Sequence, residues 1–222
     1  MVMTENRWIS ELHWRRAGQQ SRSERTQSAL LDAAEALIFE KGTEATSIAD
    51  IAAKAGFSVG AVYHHFKDKK ALFLALFDRM TDAYEALNAK ASDPEIWRGA
   101  TVLDLFRGYM EITLNAARED PAAKAAVSAV VADYPELAAH YAEIQGNSRR
   151  ALLKLVLARR EEIGVADADE AAAFAIDQIS AMLRSRIDPA QRPAALQPID
   201  DETFMRNALR MIAACLDLQP VG

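Results

Sequence analysis

Between Ser47 and Phe66 the chain reads SIADIAAKAGFSVGAVYHHF, and that run leaves few folds open. Ser47-Ile48-Ala49-Asp50 places a serine three residues ahead of an acid, the pattern of a capped helix start. Gly56 stops that helix, because glycine takes left-handed backbone at no steric cost. A second short helix follows over about Ser58 to Phe66. Crossing two helices so closely needs a small residue on the first, and Ala52 supplies it. Val62 then returns to the core beneath the turn, and Ile48, Ile51, Ala55, Phe57 and Phe66 complete an apolar cluster. A bracing helix, a turn with glycine and an exposed second helix are the parts of a helix-turn-helix.

The remainder reads as helical throughout. Glycines number 9 and prolines 7, and alanine runs with Leu, Glu and Arg dominate. Ser21 and Glu24 form a start pattern for a first helix with Leu30, Ala34, Leu37 and Ile38 on its apolar face, ended by Gly42. Asp68 caps a fourth, in which Phe73, Phe77, Met80, Tyr84 and Leu87 recur at helical spacing. All prolines lie at Pro94 or beyond, so the composition changes near 91–94. Further helices are expected at about 99–118, 121–132, 135–163, 168–188 and 201–217, with Pro121 and Pro135 in first turns and Gly164 ending the long one. Residues 188–198 hold three prolines and read as a linker. The expected fold is all-α: an arm over 1–20, taken as flexible, a three-helix helix-turn-helix domain over 21–68, and a helical domain over 69–222.

Composition narrows the classes of function. Cys215 is the one cysteine, so no intramolecular disulfide forms. No apolar run approaches the roughly 20 residues that span a bilayer, and the amino-terminal stretch has no signal-peptide core. A cytoplasmic location is expected, with no membrane partner. Net charge is −6, but residues 1–70 carry ten basic against nine acidic residues, leaving the acidity in the body. An enzyme is not expected. There is no HExxH run and no glycine-rich loop between strand and helix. Adjacent His64 and His65 point about 100° apart on a helix, a poor metal site. No cofactor or metal is implied.

The second helix of the motif has the composition of a reading head. Ser58, Gly60 and Ala61 are small, so backbone can approach a groove floor. Ser58 can also cap the helix and aim its positive end at phosphate. Tyr63, His64 and His65 bring hydrogen-bonding groups, and Lys67, Lys69 and Lys70 follow at once. Small residues inside with cations at the edge suit base readout plus phosphate positioning.

The stretch from about Arg25 to Leu76 resembles the DNA-binding domain of tetracycline-repressor-like (TetR family) regulators. Ala33, Ala34, Phe39, Gly42, Ala45-Thr46-Ser47, Ile51-Ala52, Ala55-Gly56, Ser58, Gly60, Val62-Tyr63, Phe66, Lys69 and Leu72 carry the likeness over about a quarter of the chain. Val59 departs from it, standing where the family often has Lys or another polar residue. The resemblance implies that Thr46 and Ser47 touch phosphate, that Ser58, Val59, Gly60 and Ala61 face bases, and that Tyr63 and His64 meet phosphate or the groove edge. Lys69 would clamp the backbone, beside the flanking Lys67.

The same resemblance implies a carboxy-terminal helical domain that binds a small-molecule effector and dimerises. Phe174, Ile179, Met182 and Leu183 form one apolar stripe, and Met205, Ala208, Ile212 and Leu216 another. Two such helices from each subunit make a four-helix interface. A homodimer also has a physical reason, since two recognition helices read a palindromic operator that one cannot. Trp97, Phe106, Tyr109, Tyr134, His140, Tyr141 and Phe174 are the candidates to line an effector pocket. The function implied is a sequence-specific repressor of transcription, released from double-stranded DNA by its effector. Two alternatives stay open: a repressor whose body only dimerises, and a ligand-binding or protein-adaptor module that has lost specific DNA binding.

Overall fold

The computed structural model describes residues 22–187 and 197–218. Within these residues the chain forms α1 (Arg22–Ala45), α2 (Ile48–Ala55), α3 (Val59–His65), α4 (Lys69–Ala91), α5 (Val102–Glu119), α6 (Pro121–Asp133), α7 (Glu136–Leu157), α8 (Ala168–Ile187) and α9 (Asp201–Cys215). The expected arm, the Ser21 start pattern and most of the 188–198 linker lie outside the described residues. No described helix is long and apolar enough to cross a membrane.

The chain divides into two compact units, and neither is contiguous in sequence. Among the described residues, the first takes 22–87 together with Glu119–Ile144; the second takes Asn88–Arg118, 145–187 and 197–218. Most of α4, and all of α6, join the helix-turn-helix.

In the first unit, Leu30, Leu31, Ala34, Leu37 and Ile38 recur at helical spacing along α1 and are buried. They meet Ala123, Ala126, Val127 and Val130 of α6, whose small side chains let the two helices lie close. Ile51, Val62, Leu72 and Leu76 are fully buried in the same cluster. Each such side chain contributes about 1.5–3 kcal/mol through removal from water. Gly42, at φ 79°, interrupts α1 where the chain turns toward α2. Asp120 caps α6 by accepting from the Ala123 amide at 3.0 Å.

The second unit has its own core, built on Leu105, Phe106 and Met110 of α5, Val156 of α7, Ile176 and Ile179 of α8, and Ala208, Ile212 and Leu216 near the chain's end. Thr101 and Asp104 cap each other reciprocally at the head of α5. That box repeats the pattern at Ser47 and was legible in the sequence, which nevertheless suggested an earlier start near 99.

Three expectations about this unit need correction. The long helix ends at Leu157, and a separate 3₁₀ turn follows at Arg160–Glu162. Gly164 is thus no helix stop; it lies against the Asp217 carbonyl, where a β-carbon would sit 2.6 Å away. The apolar stripes mostly face inward. Ile179, Leu183, Ala208, Ile212 and Leu216 are buried in the chain's own core, whereas Phe174 and Met211 stay exposed at 56% and 58%.

Candidate nucleic-acid interface

The head of α2 is fixed twice over. The Ser47 side chain accepts from the Asp50 amide at 3.1 Å, and the Asp50 carboxylate accepts from the Ser47 amide at 3.2 Å. Lys41, at the end of α1, reaches the same carboxylate at 2.8 Å. That hydrogen bond from Lys41, followed by those from Ser47, holds the Asp50 carboxyl down at about 2. Lys54 pairs with Glu40 at 2.7 Å and ties α2 to α1 a second time. Exposed ion pairs of this kind add little stability. The apolar contact of Ile51 and Ala52 holds the helix, and the charges set its register.

Gly56 ends α2 in the left-handed region at φ 75°, as its place in the motif requires. Ser58 then opens α3, accepting from the Ala61 amide at 3.2 Å. Of Val59–His65 only Val62 is buried, and Phe66 anchors the far end. Val59 is 41% and Tyr63 55% exposed. Ser58, Gly60 and His64 are exposed as well, so the candidate reading residues share an open surface around a capped helix start. Among the described residues nothing hydrogen-bonds the Tyr63 hydroxyl.

Gly60 is informative because the fold does not need it. Its φ is not positive, and a β-carbon there would meet only the Ser58 hydroxyl at an ordinary 3.7 Å. Any demand for a small side chain at this position comes from outside the chain.

Two residues sit otherwise than the sequence suggested. Thr46 is fully buried, and its hydroxyl donates to the Gly42 carbonyl at 2.7 Å. It braces the turn after α1, so its side chain does not face a phosphate. Phe57 is 38% exposed and stays outside the apolar cluster it was expected to complete.

The cations differ in what they are free to do. Lys67 is exposed, and no contact engages it among the described residues. Lys69 lies 5.4 Å from the centre of the Phe73 ring, with its ammonium 3.4 Å from the Glu44 carbonyl. Lys70 is held by Glu136 at 2.9 Å and lies over the Tyr134 ring. That pairing raises the Lys70 pKa and lowers that of Glu136.

The effector candidates separate into two groups. In the first unit His140 and Tyr141 both pack on Phe77, with ring centres 6.0 and 6.3 Å away, and Tyr134 lies under Lys70. In the second unit Phe106 is fully buried core. Trp97 is buried too, its indole N–H donating to the Ala91 carbonyl at 2.7 Å, so it is a structural residue. Tyr109 is half-buried, with its hydroxyl 3.2 Å from that of Ser180. Phe174 points to solvent.

Residues 30–76 match the model of the bacterial regulatory proteins, tetR family. The HTH-type transcriptional regulator TtgR of Pseudomonas putida is 37% identical over 73 residues, 33% of this chain and 34% of that protein. The transposon Tn10 TetC protein of Escherichia coli is 44% identical over 100 residues, 44% and 49% of the two. The chain thus spans between a third and a half of the length of these curated relatives. Solved structures extend the likeness to the fold. A tetR-family regulatory protein from Rhodococcus RHA1 superposes with a TM-score of 0.63 at 19% identity, over 90% of this chain and 100% of that one. The TetR family transcriptional regulator PfmR of Thermus thermophilus does so with a TM-score of 0.60 at 22% identity, over 86% and 99%. The chain is TetR-like: residues 30–76 resemble the bacterial regulatory proteins of the tetR family, and the all-helical fold around them is similar to that of these solved structures.

Proposed function

We propose that this protein is a sequence-specific transcriptional repressor that binds a palindromic operator as a homodimer and leaves it when a small molecule binds. The observation carrying this reading is α3, a short helix capped by Ser58 that buries only Val62 and leaves Val59, Gly60, Tyr63 and His64 exposed. Ser47, Ser58, Val59, Gly60, Ala61, Tyr63, His64, Lys67 and Lys69 form the DNA-contacting set. Val59 supplies an apolar contact suited to a thymine methyl. Lys67 meets phosphate directly, and Lys69 does so once it turns from the Glu44 carbonyl.

Exposed Phe174 and Met211, on α8 and α9, supply apolar area for a partner subunit. The domain expected over 69–222 serves effector binding and dimerisation, with Tyr109, Tyr134, His140 and Tyr141 the remaining effector candidates. Effector binding acts by population shift, favouring a state whose recognition helices no longer match successive major grooves. Residues of α4 belong to both compact units, which makes that helix the carrier of the change. The protein works in the cytoplasm as a regulator without a catalytic step.

Selection from random duplex DNA at two salt concentrations tests the proposal. Enrichment of a palindrome, with affinity falling as salt rises, is the expected result. Weak retention without enrichment, persisting after the protein has been unfolded, stripped of ligand and refolded, would overturn it.

A further inference from the structure

The three lysines that follow α3 are not equally available. Asp68 caps α4 by accepting from the Ala71 amide at 2.8 Å, so Lys69 and Lys70 stand in the first helical turn. That end of a helix carries partial positive charge, which disfavours cations and favours a nearby anion. Lys70 has its anion in Glu136, the first residue of α7, whose carboxylate accepts from the ammonium at 2.9 Å. The two residues belong to the same compact unit although they lie far apart in sequence. The Tyr134 ring lies 5.2 Å from the same ammonium. Just over half of each side chain remains exposed.

A phosphate oxygen and a carboxylate oxygen offer an ammonium the same thing, a charged acceptor at about 2.7–2.9 Å. Glu136 therefore already gives Lys70 what DNA would give it. Were Lys70 to turn to a phosphate, Glu136 would be left unpaired beside a second anion. The carboxylate thus opposes a phosphate contact at this position, by holding the cation and by its own charge. Lys67 has no such competitor among the described residues.

We propose that Glu136 is an internal stand-in for phosphate: it occupies Lys70 and withholds it from DNA, so the protein presents one cation fewer to a duplex than the lysine run carries. This role rests on the function proposed above. Glu136 is a positioning residue, acting through Lys70. A phosphate contact strengthens binding to every sequence alike. Withholding one therefore weakens non-specific binding and leaves discrimination to the base contacts of α3.

The test measures affinity of the full chain for a duplex of arbitrary sequence across a salt series. Glu136→Gln should bind at least about threefold tighter than wild type at about 50 mM salt, and its salt slope should steepen by about one phosphate contact. Adding Lys70→Ala to that variant should abolish the steepening, a result that a merely structural role for Glu136 would not produce. Glu136→Ala should repeat the gain, so the test does not depend on one variant folding. A slope unchanged in both Glu136 variants would overturn the proposal. So would a steepening that survives Lys70→Ala, because Glu136 would then act without Lys70. Lys67→Ala separates this failure from that of the proposed function. If Lys67→Ala flattens the slope and Glu136→Gln does not steepen it, only the role of Glu136 fails. If wild type shows no salt-dependent binding and Lys67→Ala changes nothing, the DNA-binding function fails and the role of Glu136 falls with it.

Discussion

The Trp97 ring occupies the space that a β-carbon on Gly108 would need: the nearest ring atom would lie 2.2 Å from it and the next 2.8 Å. Gly108 is in the interior of α5, where glycine ordinarily costs about 1 kcal/mol against alanine. The indole is buried and tethered by its hydrogen bond to Ala91, so it cannot swing aside at low cost. Gly108→Ala should therefore destabilise by about 1–3 kcal/mol, the range for an overpacked core, with altered tryptophan fluorescence. Urea unfolding measures it, and a stabilised variant would refute the packing argument.

Gly60 behaves in the opposite way. Nothing in the chain resists a β-carbon there. Gly60→Ala should leave the fold as stable as before, or up to about 1 kcal/mol more so. If α3 enters a major groove, the same variant loses at least about tenfold in operator affinity, roughly 1.4 kcal/mol. Parallel melting and binding assays separate the two effects, and unchanged binding would remove Gly60 from the groove floor.

Lys67 and Lys70 are near neighbours with different commitments. Lys67→Ala should weaken binding to all sequences and reduce the salt slope by about one phosphate contact. Lys70 is held by Glu136, so Lys70→Ala should leave the slope unchanged. Affinities measured across a salt series check both. Equal loss from the two variants would mean that the ion pair opens on DNA.

The capping box at α2 carries a pH signature. Asp50 is depressed from 3.8 to about 2, with the hydrogen bond from Lys41 the largest cause. Its contribution is present above the ordinary value and disappears as pH falls through the depressed one. Amide protection in α2 should exceed that of Asp50→Asn at neutral pH and converge with it near the acid limit. Ser47→Ala, which removes the other half of the box, should cost about 1 kcal/mol at neutral pH.

Phe174 and Met211 test the homodimer. Replacing both with Glu puts charge on exposed positions and should leave the fold intact. Sedimentation should then report a shift to monomer, with operator affinity down by at least about tenfold. A variant that stays dimeric would place the interface elsewhere.

The helix-turn-helix was legible because its determinants are local. Ser47 and Asp50 are three residues apart, Gly56 and Ser58 two, and each acts within a single helical turn. The same locality made the start of α6 readable from Pro121, and it would have yielded the Thr101–Asp104 box at α5. Burial was harder to read. An apolar stripe announces that a helix has a covered face but not what covers it. The stripes of α8 and α9 thus matched a dimer interface as well as they matched the chain's own core.

Local sequence therefore determined which segments are helical, where α2 and α3 begin and end, and that the surface of α3 is open to a partner. Tertiary packing decided that Thr46 is buried, that Phe57 stays out, that Gly164 must be small against Asp217, and that Glu35 meets Arg79 of α4. Those outcomes depend on residues that the fold brings together. No pattern read along a single helix carries that information, because the free energy of a buried side chain depends on the neighbours that exclude water from it.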